Sequence, residues 1–331
     1  MNLQHRIELM AGLGDYLKEN NAEWKEIKQK AFEKNPWFTL PFIDHVVENI
    51  ANNYLDRDKL IQWAAHYHID ENIQPKITGI IMAGNIPLVG FHDMLSVFIS
   101  GHYQRVKWSS KDDVLADHFV KVLCRMDAGI SQYISVSEML KGCDAYIATG
   151  SNNSSRYFEY YFGKYPHIIR KNRTSVGILD GMETVEDLEK LSDDIHLYFG
   201  LGCRNVTKIY VPDGYDFIPL IGAFNKYKYF SDHHKYKNNY DYQLSILLLN
   251  NVKYMTNGST LLTQHSTVFS PISQLHYEHF IRLDDVEEMV KKNNDIQCII
   301  SRNFIPFGEA QRPGLFSYAD GVDTMQFLLS F

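Results

Sequence analysis

Along the first 70 or so residues, apolar positions recur at spacings of three and four, most regularly over 42–50 and 60–65, with Pro36 and Pro41 as breakers. One face of each turn is therefore apolar, and the segment reads as a set of helices. From Lys76 the texture changes. Short apolar runs at 77–82, 104–106, 145–148 and 176–179 alternate with windows of helical periodicity at 87–99, 113–125 and 152–163. That alternation predicts parallel βαβ units, a sheet covered by helices. Further on, 185–198 reads as a long helix, because Thr184 can cap it and Glu186 and Asp187 place acids in its first turn. A strand at 208–212, helices over 217–227 and 240–250, and a last apolar run at 297–301 complete the pattern.

The fold class expected from this is α/β. A helical N-terminal segment over 1–75 packs on a first domain, 76–180, with a mostly parallel sheet. A second α/β domain covers 181–331, with the boundary near Asp180 and Gly181. The length of 331 residues and 45% hydrophobic content suit two cores of ordinary size.

Charge narrows the choice of partner. The net charge of -7 gives no electrostatic reason to expect nucleic acid or an anionic membrane. No stretch approaches the roughly 20 apolar residues of a membrane span. Charges at Arg6 and Glu8 interrupt any apolar core of signal-peptide length, so a cytoplasmic protein is expected. The cysteines at 124, 143, 203 and 298 show no CxxC or Cys/His spacing, so no metal site is expected and each is weighed as a thiol.

Cys203 lies in GLGC just after a predicted helix, where the glycines let the backbone bend and present the thiol on a loop. Cys124, Cys143 and Cys298 fit helix faces or apolar runs and read as packing residues. At a strand end, MAGNIPLVG sets Asn85 between Gly84 and Pro87, where a side-chain amide could donate to an oxyanion, although Asn-x-Pro is also common turn chemistry. In ATGSNNSSRYF, a strand passes through Thr149, Gly150 and Ser151 into a helix. That helix N-terminus suits an anionic ligand as well as an ordinary cap. No GxGxxG is present.

Taken together, the Asn-x-Pro strand end, the TGS turn and the glycine-flanked cysteine resemble, in order and spacing, the aldehyde dehydrogenase superfamily. The runs MAGNIPLVGFHD, ATGSNNSSRYFEYYFGKYPHIIRKNRTSVGIL, YFGLGCRNVTKIYVP and PFGEAQRPGLFSYADGVDTMQFL resemble more closely the LuxC-type acyl-CoA reductases, over roughly 76 to the C-terminus.

The resemblance implies an aldehyde dehydrogenase-like fold and reduction of an acyl-CoA or acyl-carrier thioester to an aldehyde. It makes Cys203 the acyl-accepting nucleophile, and Asn85 with the Cys203 backbone N–H the oxyanion donors. Thr149, Gly150 and Ser151 would lie near a nicotinamide cofactor. In VKWSSKDD, Lys107 matches a ribose-binding lysine, Ser109 follows in the same loop, and Ser110 stands where the superfamily has a glutamate. A serine among Arg105, Lys107 and Lys111 would tolerate a 2′-phosphate, which favours NADPH over NADH.

The stretch IRKNRTSVG lacks the glutamate that activates water in aldehyde-oxidising relatives, which fits an acyl-enzyme attacked by hydride. His233 and His234 are candidates for proton transfer or substrate contact. Arg312, Tyr318 and Asp320 lie in a terminal segment the family shares. An acyl-protein synthetase is an implied partner. The alternatives are a CoA-acylating aldehyde dehydrogenase and a non-catalytic acyl-binding subunit of a fatty acid reductase complex.

Overall fold

A computed structural model describes residues 1–69 and 74–331, so the join inside the expected 1–75 segment falls partly outside the described residues. The chain forms two units, one of residues 1–172 with 312–331, the other of 173–311.

In the first unit the helices Leu3–Glu19, Ala22–Lys34, Leu40–Asn49 and Arg57–His66 come first. Three of them start on side-chain caps. Asn2, Asn21 and Asp56 accept the N–H groups of His5, Trp24 and Lys59 at 2.8, 2.9 and 3.0 Å, each cap contributing about 1 kcal/mol. The sheet that follows is wholly parallel, with strands β1 (Ile77–Ile81), β2 (Tyr103–Lys107), β3 (Ile134–Val136), β4 (Ala145–Thr149) and β5 (His167–Arg170) in the order β3-β2-β1-β4-β5. The helix Phe91–Ser100 is buried almost all round, because one continuous core joins it to the sheet and to Met10, Leu13, Trp24 and Trp63 of the N-terminal helices.

The last twenty residues return to this unit rather than extending the second domain. The half-buried ring of His92 donates through Nε2 to the Leu315 carbonyl at 2.9 Å, and the buried His102 Nε2 does the same to Leu328. Arg170 is ion-paired with Asp93 and donates to Thr324 Oγ1 at 3.0 Å. These bonds use groups that would otherwise be buried without partners, so the tail and the N-terminal helices close one core.

The second unit holds β6 (Thr174–Ile178), β7 (Val206–Pro212), β8 (Met255–Thr256), β9 (Leu261–Gln264), β10 (Gln274–Phe280) and β11 (Ile296–Ile300). Their order is β11-β6-β7-β10-β9-β8, parallel except for β8 against β9. The division expected at 180/181 moves to 172/173. The apolar run at 176–179 is β6, and it pairs with β7 and β11, not with the first sheet. Only residues 171–173 separate β5 from β6, so the pattern alone carries no mark of the change of sheet.

Candidate active site

In the first sheet β2 and β3 step away from β1 on one side, and β4 and β5 on the other. The order reverses between β1 and β4, and open parallel sheets take ligands at the carboxyl ends of strands at such a point. Lys107 ends β2 opposite Ile81, the last residue of β1. Asn85 follows β1 in an exposed turn. Thr149 ends β4, and Ser151 caps the helix Asn152–Phe162 by accepting the Ser154 N–H at 3.3 Å. Gly150 between them is required by close approach, since a Cβ there would lie 2.8 Å from Phe158 Cε2 and 2.9 Å from Ser154 Cβ.

A groove of about 620 Å³ in the same unit is lined by Lys107, Glu138, Lys141 and Lys164 and by the rings of Tyr146, Tyr157, Phe158 and Tyr161, a size and composition that suit a ligand part apolar and part anionic. Ser109 and Ser110 lie outside this lining: Ser109 packs against Gly84, and Ser110 is exposed. Lys107 Nζ donates to the Glu138 carbonyl at 2.9 Å and lies 3.8 Å from its carboxylate. An acid thus stands beside Lys107 although Ser110 occupies the position of the superfamily glutamate. The acid comes from the loop after β3, a strand too short and too exposed for its pattern to be read.

In the second unit Cys203 sits in a turn between the helix Val185–His196 and β7. Cys203 and Arg204 occupy its two central positions, closed by the Asn205 N–H on the Gly202 carbonyl at 3.1 Å. Asn205, fully buried, holds the turn from inside. Its Oδ1 accepts the Gly202 N–H at 2.8 Å, and its Nδ2 donates to the carbonyls of Asp194 at 3.1 Å and Leu197 at 2.8 Å. The Cys203 carbonyl accepts from Ser175 Oγ of β6 at 3.0 Å, and Arg204 Nε donates to the Ala310 carbonyl at 2.5 Å. The backbone that carries the thiol is thus fixed, while Cys203 itself stays partly exposed. Asn205 was not singled out in the sequence, where a polar residue after Cys-Arg reads as ordinary turn chemistry.

The helix ends at His196, two residues before the expected end, and the chain reverses through three left-handed residues, Tyr198 and Phe199 at φ 56° and Gly200 at φ 74°. For bulky residues this conformation costs of order 1–3 kcal/mol each. Burial of both rings offsets it, and Phe199 packs 4.5 Å from the ring of Phe230 and 4.6 Å from that of His233.

His233 therefore belongs to the packing around Phe199. It also caps the helix His234–Leu249, its Nδ1 accepting the Tyr236 N–H at 3.3 Å. His234, the first residue of that helix, is exposed. His196 is deeply buried between the Ser192 carbonyl and Thr260 Oγ1, at 2.8 and 2.9 Å, and burial lowers its pKa to about 4. It is neutral and structural. Asp194 accepts the N–H groups of Gly308 and Ala310 at 2.7 and 3.0 Å, and burial raises its pKa to about 7.

Tyr318 lies in the first unit, its hydroxyl accepting from Trp63 Nε1 at 2.9 Å and paired with that of Tyr67 at 2.7 Å, and it ties the tail to the N-terminal helices. Asp320 sits in a left-handed turn beyond it, and Arg312 begins the returning tail. Among the described residues, no group of three or more His, Cys, Asp or Glu side chains could hold a metal ion, and no helix is long and apolar enough to cross a membrane.

A family model described as acyl-CoA reductase (LuxC) matches residues 45–218, more than half of the chain. No curated protein matches. Among solved structures, aldehyde dehydrogenase 21 from Physcomitrella patens superposes with a TM-score of 0.65 at 13% identity, covering 91% of this chain and 74% of its own. An NAD-dependent aldehyde dehydrogenase from Sinorhizobium meliloti gives 0.65 at 12% identity, covering 94% and 72%. An NADP-dependent enzyme of E. coli gives 0.65 at 11% identity, covering 91% and 73%. The fold is aldehyde dehydrogenase-like.

Proposed function

The chain belongs to the acyl-CoA reductase (LuxC) family, and from that premise we propose that it reduces the acyl group of a coenzyme A or carrier-protein thioester to an aldehyde, with Cys203 as acyl acceptor and a nicotinamide cofactor as hydride source. The observation that carries this reading is the contrast among the four thiols. Cys203 is partly exposed at the tip of a turn fixed by Asn205 and Ser175. Cys143 and Cys298 are buried, Cys124 is partly exposed like Cys203 but lies within the helix Val114–Met126 rather than on a turn, and burial raises the pKa of these three, which disfavours the thiolate needed for attack.

In the acylation step the Cys203 thiolate forms a bond to the thioester carbonyl carbon. The bond to the donor sulfur breaks, and the donor leaves as a thiolate that takes up a proton. Charge developing on the carbonyl oxygen is met by the Asn85 amide and the Cys203 backbone N–H. One thioester replaces another, so the step is nearly isoenergetic. When bound, the reduced nicotinamide supplies the hydride that brings the acyl carbon to the aldehyde level. Release of the aldehyde returns Cys203 as a thiol. His233, packed on Phe199, and His234 beside it are the candidates for proton transfer or substrate contact. The stretch 169–177 carries no acid to activate water, which favours hydride over hydrolysis as the fate of the acyl-enzyme.

The residues at the reversal point fit a dinucleotide. The Ser151-capped helix N-terminus suits the pyrophosphate, Gly150 permits close backbone approach, and the aromatic groove with Lys107 suits the adenosine half. Ser109 and Ser110 stay assigned to the same cofactor loop. Three lysines against one acid line the groove, so NADPH remains the favoured form and NADH the alternative. A coenzyme A thioester or the acyl-protein of a synthetase partner would serve as donor.

The test is intact-protein mass after incubation with acyl-CoA and no reductant. An added acyl mass on the wild type, mapped to Cys203 and missing from Cys203→Ser, is expected. An acyl mass that persists in the variant, or none in the wild type with either donor type, contradicts the reading.

A further inference from the structure

Along β2, Gln104 donates to the Met94 carbonyl of the helix Phe91–Ser100 at 3.2 Å. Arg105 and Lys107, which alternate with it, therefore lie on the opposite face of the first sheet. The connection from β3 to β4 must cross β2 and β1. Such a crossover ordinarily takes about a dozen residues or more and carries a helix that covers the sheet. Here it is residues 137–144, which form no helix. The aromatic groove lies between this loop and the helix Asn152–Phe162, wholly within the first unit, in the place a crossover helix would fill.

What lines the groove is unusual for a seam between helix and loop. Tyr157 and Tyr161, one turn apart on the helix, are 68% and 61% exposed there. Lys107 is offset by Glu138, as described above. Lys141 and Lys164 are not: among the described residues neither pairs with a carboxylate. The backbone of Lys141 is held in place by Arg105, whose Nη1 donates to its carbonyl. Lys164 follows the helix, its Nζ 5.3 Å from the centre of the Tyr165 ring. Two cations, one from the loop and one from the end of the helix, thus line one aromatic groove without an acid of their own. Tyrosine rings give a planar base a surface to stack on, and unpaired ammonium groups suit a dianionic phosphate.

We propose that Lys141 and Lys164 together select a 2′-phosphorylated cofactor: adenosine fills the groove beside Tyr157 and Tyr161, and its ribose 2′-phosphate takes both ammonium groups. This rests on the cofactor assignment made above. It adds the source of the preference for NADPH, with Lys107, offset by Glu138, contributing less.

Titration calorimetry of the full chain with adenosine 2′,5′-bisphosphate and with adenosine 5′-monophosphate tests it without any turnover, since the two ligands differ by the 2′-phosphate alone. The wild type is expected to bind the bisphosphate about twentyfold more tightly. Lys141→Ala and Lys164→Ala should each cut that preference by about fivefold, and the double variant should nearly abolish it. Arginine at either position keeps the charge, so Lys141→Arg and Lys164→Arg should retain the preference within about twofold. A merely structural role would lower the affinity for both nucleotides and leave their ratio unmoved.

A preference that survives in the double alanine variant would overturn the proposal. Adenosine 3′,5′-bisphosphate, the half found in coenzyme A, separates the two sources of a ribose phosphate: tighter binding of the 3′,5′ isomer than of the 2′,5′ isomer would give the lysines to the thioester donor and overturn it as well. A wild type that binds none of these nucleotides removes the cofactor assignment and this inference with it, whereas one that binds the monophosphate as tightly as the 2′,5′-bisphosphate removes the inference alone.

Discussion

The amide of Asn205 donates to the carbonyl of Leu197 at 2.8 Å while its oxygen accepts the N–H of Gly202 at 2.8 Å. One buried side chain thus ties the end of the helix Val185–His196 to the turn that carries Cys203. In Asn205→Ala the helix-end carbonyls and the Gly202 N–H are left buried without this partner, at a cost of roughly 2 kcal/mol. The urea midpoint should fall accordingly, and acyl transfer to Cys203 should fall more than stability alone explains. An unchanged acylation rate in the folded variant would show that the turn needs no such support.

Asp194 makes stability depend on pH. Its folded pKa is raised by burial to about 7 from 3.8, so the folded state binds the proton more tightly than the unfolded chain. The contribution is full below the unfolded pKa and is lost as pH rises through about 7. Urea midpoints should therefore decline between pH of about 4 and about 7, and the decline should flatten in Asp194→Asn. An identical slope in wild type and variant would mean that other groups set the profile.

Gly150 leaves no room for a side chain. In Gly150→Ala the new Cβ would meet Phe158 and Ser154 at 2.8 and 2.9 Å, so the TGS turn must shift. The half-saturating cofactor concentration should rise by about tenfold or more while iodoacetamide labelling of Cys203 stays unchanged, since a shift of about 1 Å at a positioning group can cost that much. Equal cofactor binding in the variant would place the dinucleotide elsewhere.

Glu138 beside Lys107 bears on the choice of cofactor. An acid near the ribose repels a 2′-phosphate, and for an exposed pair the effect lies within about 1 kcal/mol. Glu138→Gln should thus raise the kcat/KM ratio of NADPH to NADH by up to about fivefold, and Lys107→Ala should lower it. Ratios that do not move would remove this loop from the cofactor site.

The parallel βαβ frame was legible because the runs that became β1, β4 and β6 are short, apolar and followed by helical periods, and because Thr184 and Ser151 are strong capping residues. Much of the second sheet was not. β10 carries Gln274, His276, Glu278 and His279 among its apolar residues, and Lys208 is fully buried inside β7 through an ion pair to Glu278 and a 2.7 Å bond to the Ser266 carbonyl. A buried charge satisfied by a partner 70 residues away interrupts the local hydrophobic signal, so β7 was read only from 208 although it begins at Val206.

The motifs Asn85, Thr149 to Ser151 and Cys203 could be found because glycine and capping residues mark sharp turns. The support of the Cys203 turn, Asn205, could not: it acts through the Gly202 N–H and the Asp194 and Leu197 carbonyls, which only folding brings around it. The left-handed pair Tyr198 and Phe199 was hidden for a related reason, since their apolar character extends the helical period past the point where the backbone reverses.

The central claim is that Cys203 carries the acyl group that a reduced nicotinamide converts to an aldehyde. Consumption of NADPH, followed by its absorbance with acyl-CoAs of rising chain length for the wild type and for Cys203→Ala, tests it most directly. The account predicts loss of NADPH with matching aldehyde formation in the wild type and none in the variant. Reduction that survives in Cys203→Ala, or a wild type inert toward every acyl-CoA and acyl-protein with either NADPH or NADH, would contradict it.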